Sequence, residues 1–411
     1  MAGPHSLSTY CVQLLTGDSM GPADVRIGIV VPWIHGVRGH RIALNLSREL
    51  SSRGARVDFF VGSVYEGSNR TVTEGVGGAQ LHVGRLIPSG DTSVWKFARY
   101  QYSRSLDRKI ARAIATRHAE MPFDLVFVVA NEGHWLAGYL RKFLSTPRPV
   151  VALCVRELVE HPFWLGYERP GALARTLASP LYPLAHAVER QRLQEFDLLF
   201  SISPWTTTLL DYFYGIRKTP SLILVDRSFF EVEPARDGPE YVAVPTASLD
   251  EQGIRLVQRV HERIPNLRTF GKRPVPGLPH EGFLSDSGVA AFLSRAAATL
   301  FIFDYEALGL IPLESLATGT PVVTQPKQGP YSVLRGNPFV RFGESASELS
   351  SALAELMRIS SKPEGRRGSR ESVSQFRPDL AVEGWLDELS ARTDLGEKLA
   401  PLRSSTAARS V

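Results

Sequence analysis

At 411 residues, with 43% hydrophobic and 22% charged side chains, the chain exceeds one ordinary core and fits two domains of about 180 residues plus tails. No apolar run approaches the ~20 residues of a membrane helix, and the first 24 residues lack the basic start and apolar core of a secretory signal. Two cysteines, Cys11 and Cys154, argue against a disulfide framework and for a reducing, cytoplasmic setting.

The net charge of +5 is carried by arginine: only eight of 47 basic residues are lysine, which points to a GC-rich bacterial genome before it points to a partner. No zinc spacing, RNA-binding motif or basic zipper is present, so nucleic acid is not an expected partner.

Residues 1–24 read as a flexible N-terminus, and beyond them strand and helix signals alternate, which argues for parallel α/β sheets. A first domain is expected over 25–222. It starts with an apolar strand over 25–32, a loop from His35 to Gly39, a helix over 41–53 and a strand over 56–61. A long helix over 95–118 carries Ala98, Tyr102, Leu106, Ile110 and Ala113 on its apolar face. Its other face presents Lys96, Arg99, Arg104, Arg108 and Arg112. A solvated surface is the favoured reading of that face, and peripheral membrane contact the lesser one.

A strand over 124–130 ends at Asn131-Glu132-Gly133-His134, and one over 150–155 ends at Arg156-Glu157. Residues 160–183 read as an irregular lid, followed by a helix over 185–195 and strands over 198–203 and 222–225. The linker falls at 223–239, with a second domain over 240–375. That domain shows strands at 241–244, 267–271 and 298–303 and helices at 254–264, 287–295 and 346–357. A C-terminal helix over 376–393 is expected to return toward the first domain, while 366–374 and the tail 394–411 read as disordered.

The segment from Asp304 to Thr324, DYEALGLIPLESLATGTPVVT, is the most informative. Leu310, Leu313, Leu316 and Ala317 recur at helical spacing, so a short helix begins near Gly309 and ends at Gly319. A glycine at a helix start lets backbone N–H groups approach a phosphate. Glu306 falls in the loop before that helix and Glu314 about one turn inside it. Two carboxylates beside an anion-binding helix end suit a ligand that also carries hydroxyls, as a nucleotide sugar does.

The run E-x-x-G-L-x-x-x-E followed by S-L-A-T-G-T-P-V-V resembles the E-x7-E signature of retaining GT-B glycosyltransferases, specifically glycosyltransferase family four. The resemblance spans 25–389 and is carried mainly by 265–323. It implies an α/β fold of two Rossmann-like domains facing each other across a cleft. The implied activity is hexosyl transfer from a UDP- or GDP-type sugar, with no other cofactor and no metal, since no D-x-D motif sits in a suitable loop.

By the same resemblance Glu306 and His134 meet the donor sugar as catalytic residues, and Glu314 binds the ribose. Gly309 and Leu310 offer amides to the diphosphate, and Gly36 belongs to the donor side. Arg38 and Arg156 face the acceptor, a small molecule or a lipid-linked one, with a specialised metabolite favoured.

One departure is plain. The family's G-R-x-x-x-x-K-G, whose cations neutralise the leaving diphosphate, is replaced by Val244 to Gly253, with Ala247 and Gln252 at the cation positions. Lys272 and Arg273, at the next strand end, are expected to stand in. A non-glycosidic GT-B coupling enzyme and an inactive GT-B partner protein are the alternatives.

Overall fold

Two parallel sheets organise the chain in this computed structural model, which describes residues 25–34, 40–65, 72–73, 75–84, 86–87, 104–130, 135–144, 146–156, 158, 180, 182–233 and 241–403. The first sheet contains β1 (Arg26–Ile34), β2 (Arg56–Tyr65), β3 (Gln80–Val83), β4 (Leu86–Ile87), β5 (Leu125–Ala130), β6 (Val150–Val155) and β7 (Leu198–Ser201). Their order is β3-β2-β1-β5-β6-β7, with β4 also pairing with β2. This is the doubly wound pattern, in which strand order reverses beside β1. Register follows from Ile27 lying opposite Val57 on one side and Leu125 on the other. Both faces of β1 are covered, with Ile27, Ile29, Val30 and Val31 fully buried, as the continuous apolar run requires.

Contacts divide the chain into two units: Met1–Leu153 with Arg192–Leu198 and Leu386–Val411, and Cys154–Gln191 with Leu199–Trp385. The first unit contains α1 (Arg41–Ser52), α2 (Arg104–Glu120) and α3 (Leu136–Phe143). At the amino ends of its strands Asp58 is buried between a guanidinium and an imidazole: Arg26 Nε donates to Oδ2 at 2.9 Å and His82 Nε2 lies 2.8 Å from Oδ1. The tail expected to be disordered contains a helix, Gly396–Arg403, whose Leu402 carbonyl accepts from Arg53 and whose Lys398 pairs with Asp124 at 2.6 Å. Leu399 and Leu402 are buried, so two apolar anchors outweigh the polar composition around them.

The second sheet comprises β8 (Tyr241–Pro245), β9 (Leu267–Phe270), β10 (Ala296–Phe301), β11 (Val322–Thr324) and β12 (Val340–Phe342), in the order β12-β11-β10-β8-β9. Helix α7 (Glu251–His261) opens on Asp250, whose carboxylate accepts from Gly253 N at 2.7 Å. That helix buries Leu256, Val257 and Val260 against Val242, Val244 and Leu300; each such side chain is worth ~1.5–3 kcal/mol when fully buried. Helices α8 (Asp286–Arg295), α9 (Leu310–Ala317), α10 (Gln328–Leu334) and α11 (Ala346–Ser360) follow, the last on a capping box of Ser345 and Glu348. Helix α4 (Tyr182–Leu193) lies between β6 and β7, and α5 (Pro204–Tyr214) and α6 (Arg227–Glu231) lie between the two sheets in sequence.

Two expectations are corrected in this unit. Residues 222–225 make no strand: Leu222 N donates to Ser201 O at a single bridge, and Val225 N goes to Phe376 O. The run is apolar because it is buried, with its main chain satisfied outside a ladder.

Residues expected to be disordered at 366–374 instead contribute to α12 (Pro363–Glu371). Its Arg366 is buried and donates to the carbonyls of Ser360, Ser294 and Ala296 at 3.1, 2.8 and 2.8 Å. Arg370 reaches Ala317 O and Val232 O. The arginines turn inward onto helix C-termini, where carbonyls lack intrahelical donors.

Candidate active site

Topology places a crevice before any side chain is considered. β8 and β10 are parallel neighbours, and the chain leaves β8 toward β9 on one side and β10 toward β11 on the other. In open α/β sheets such a reversal opens a ligand crevice at the carboxyl ends of the two strands. Residues 246–250 follow β8 and residues 302–309 follow β10 at those carboxyl ends. Asp304 N donates to Ser248 O at 3.1 Å, and Ser248 Oγ lies 3.5 Å from Glu306 Oε2. The end of β9 joins them, since Thr246 donates its amide and its hydroxyl to Phe270 O at 2.9 and 3.1 Å.

Glu306 sits half-buried in the second loop, where Gly309 N and Leu308 N donate to its Oε1 at 3.1 and 3.4 Å. Gly309 is the residue before α9, at φ 85°, and offers no capping side chain of its own. The Glu306 carboxylate therefore caps that helix and sits at its positive end. In this arrangement the Gly309 amide is directed at Glu306 rather than outward. A Cβ on Gly309 would come within 2.8 Å of Pro330 Cγ, so glycine is required by space as well as by φ. Glu314 is one turn inside α9 and only 1% exposed. The helix ends in a Schellman arrangement, Gly319 N to Leu316 O and Thr320 N to Ser315 O, with Gly319 at φ 87°.

The remaining residues singled out from sequence separate into two groups. Lys272 and Arg273 are exposed, and Arg273 pairs with Glu251 at 2.9 Å with side chains 57% and 70% accessible. Gly271 before them packs against the first crevice loop: a Cβ there would lie 2.6 Å from Thr246 Oγ1 and 3.6 Å from Ala247 N. The strand end carrying Lys272 thus abuts the residue at the family's missing arginine position. Arg156 is half-buried just after β6, and its charge only partly offsets the burial that pushes the neighbouring Cys154 thiol up to about 12. Gly36, Arg38 and His134 lie outside the described residues, as do most of the lid and the start of the helix expected at 95.

Sequence reasoning missed Gln325, Gln328, Gly329 and Ser203, all of which bond to the crevice loop or the strand end before it. Ser203 Oγ, buried, donates to Ala307 O at 2.5 Å, and Gly329 N donates to Glu306 O at 3.0 Å. The only available signal was a pair of glutamines three apart following a buried strand. Among the described residues no group of three or more His, Cys, Asp or Glu is placed to hold a metal ion, and no helix is long and apolar enough to cross a membrane.

Two parallel α/β sheets, the second with an acidic loop and a glycine-started helix at its switch point, define a GT-B protein. Residues 39–223 match the family model described as Glycosyl transferase 4-like domain. Solved structures with the same fold include a glycosyltransferase from Rickettsia africae, at 12% identity over 93% of this chain and 100% of that one with a TM-score of 0.60. Sucrose-phosphate synthase from Thermosynechococcus elongatus matches at 16% identity over 90% and 100%, TM-score 0.60. HepE from Anabaena, determined with UDP and glucose, matches at 12% over 89% and 100%, TM-score 0.61. No curated protein matches the chain.

Proposed function

We propose that this glycosyltransferase moves a hexose-like unit from a nucleoside diphosphate sugar to an acceptor hydroxyl with retention of configuration. The observation that carries the reading is Glu306, held at the switch point of the second sheet by the amides of Leu308 and Gly309 just before α9. A carboxylate fixed at a helix N-terminus suits a ligand that pairs hydroxyls with phosphate, and the UDP and glucose present in the Anabaena structure are of that chemical kind. Glu314 takes the ribose hydroxyls, Glu306 the donor sugar, and Lys272 with Arg273 the diphosphate.

The C1–O bond to the diphosphate breaks as the acceptor oxygen bonds to C1 from the same face. The acceptor proton passes to the departing phosphate oxygen. His134 and Gly36 complete the donor side, Arg38 and Arg156 face the acceptor, and a specialised metabolite in a bacterial cytoplasm is the favoured setting.

A thermal-shift panel of UDP, GDP, TDP and ADP tests the donor class, because a ligand bound to the folded state raises its stability by mass action. For the nucleotide so selected, Glu314→Ala should weaken calorimetric binding by about 1.5–3 kcal/mol, the worth of hydrogen bonds to an ionised acceptor. Unchanged affinity removes Glu314 from the site. One observation favours a second reading, an inactive partner protein: Ala247 and Gln252 stand where the family has its cations. Nucleotide binding without turnover, restored only by a second protein, selects it.

A further inference from the structure

We propose that Gln328 is the positioning residue of Glu306, an inference that rests on reading Glu306 as the donor-sugar contact. Leaving β10, the main chain from Phe303 onward loses its sheet partners, and its N–H and C=O groups must find others. The stretch from the end of β11 to the first residue of α10 supplies them from two glutamines. Gln325 Oε1 accepts from Phe303 N at 3.2 Å, and Gln328 Oε1 accepts from Glu306 N at 2.9 Å. Gln328 Nε2 also reaches Asp304 O at 3.4 Å, so one amide spans both flanks of Tyr305. The next residue completes the grip: Gly329 N donates to Glu306 O at 3.0 Å, and a Cβ on Gly329 would fall 2.2 Å from Ala307 O. Both main-chain polar groups of Glu306 are thereby held by residues 328 and 329.

The backbone of Gln328 shows which part of that residue is needed. Its φ is 53°, in the left-handed region that glycine enters freely and a straight-chain residue does not. If residue 328 served only to turn the chain into α10, glycine would be the better choice. A glutamine there places the requirement on the side-chain amide, whose contacts are Glu306 N and Asp304 O. The Glu306 carboxylate is folded onto Gly309 N and Leu308 N, so the angle at which it meets a ligand follows from the orientation of its own peptide. Gln328 acts through Glu306 and has no role in bond making.

Two variants separate the side chain from the turn. Gln328→Gly removes both side-chain hydrogen bonds while easing the backbone, and Gln328→Met keeps the backbone demand without the bonds. The assay is release of nucleoside diphosphate from whichever of UDP-, GDP-, TDP- and ADP-glucose gives the largest thermal shift, with hydrogen exchange of a peptide covering 304–309 measured alongside. Both variants should exchange at least tenfold faster over 304–309, and turnover should fall tenfold or more with KM within twofold of the parent. The Tm of Gln328→Gly should equal or exceed the parent's.

In a Glu306→Ala background, adding Gln328→Gly should cost less than a further twofold, since the two residues act as one unit. Parent-like turnover of Gln328→Gly, in a protein that Glu306→Ala inactivates, overturns the proposal and leaves the functional reading standing. Unchanged exchange over 304–309 with a lowered Tm also overturns it, making Gln328 a fold residue only. If Glu306→Ala itself turns over like the parent, the reading of Glu306 fails first and the proposal falls with it.

Discussion

Asp58 and Glu306 are carboxylates at opposite kinds of strand end, and they are held in different ways. Asp58, 4% exposed at the amino ends of β1 and β2, is gripped by the Arg26 guanidinium and the His82 ring. Burial alone would raise its pKa, but the His82 hydrogen bond and the Arg26 charge outweigh it and hold the carboxyl below its ordinary value. Glu306, at the carboxyl end of β10, is held by main-chain amides. Amide dipoles fix an orientation, and a guanidinium adds a countercharge. The first arrangement grips Asp58 from the neighbouring strands, and the second orients Glu306 from the main chain beside it.

The largest effect expected is on stability at the first of these carboxylates. Asp58→Ala leaves the Arg26 guanidinium buried without its ion pair and should cost about 3–5 kcal/mol of unfolding free energy in urea. A loss below that of an ordinary surface change would mean that water reaches Arg26 and that the comparison is false. Glu306→Ala should reverse the pattern. Its stability loss should stay near ~1 kcal/mol, the worth of a helix cap. Turnover should fall about 10²–10³-fold, the range found when one preorganised electrostatic contact is removed.

Acid should then sharpen the contrast. Burial lowers the pKa of His118, with the hydrogen bond to Pro147 O opposing. Its contribution is present above the unfolded value of ~6.5 and is lost as pH falls through the lower folded one. The Asp58 contribution likewise persists above the unfolded value of ~3.9 and is lost as pH falls through its depressed folded value. Unfolding free energy followed downward from neutral pH should therefore decline in two stages, and Asp58→Asn should remove the second.

The smallest stability effect belongs to Lys272→Ala with Arg273→Ala. The ion pair to Glu251 is exposed and screened, worth at most about 1 kcal/mol. A clear fall in turnover at unchanged unfolding midpoint is the expected result, and parent-like turnover would send the search for diphosphate cations elsewhere.

Much of this was legible where local pattern and tertiary outcome agree. The strand at 150–155 is read residue for residue because a strand buried on both faces needs an unbroken apolar run. Gly309, Leu313 and Gly319 mark both ends of α9 because left-handed positions and helical spacing are written in residue type. Legibility fails where long-range partners decide. Arg366 looks solvated until Ser294 and Ala296, some seventy residues away, offer their carbonyls. Gln328 looks like loop filler until Glu306 is folded beside it. The motif that announced the enzyme lies in the second half, yet the family match falls on 39–223, where the sequence had offered fewer landmarks.

Helix α12 has a consequence for how the protein meets a protease. Its sequence, PEGRRGSRE, would by composition be an early tryptic target, rich in arginine and glycine. Arg366 is buried, however, and Arg370 holds Ala317 O and Val232 O. A protease must wait for local opening to reach either bond. That opening also strips the carbonyl partners from the ends of α8 and α9. The bonds after Arg366 and Arg370 should be cut late, and the cleavage that finally comes there should take the site-bearing helix with it.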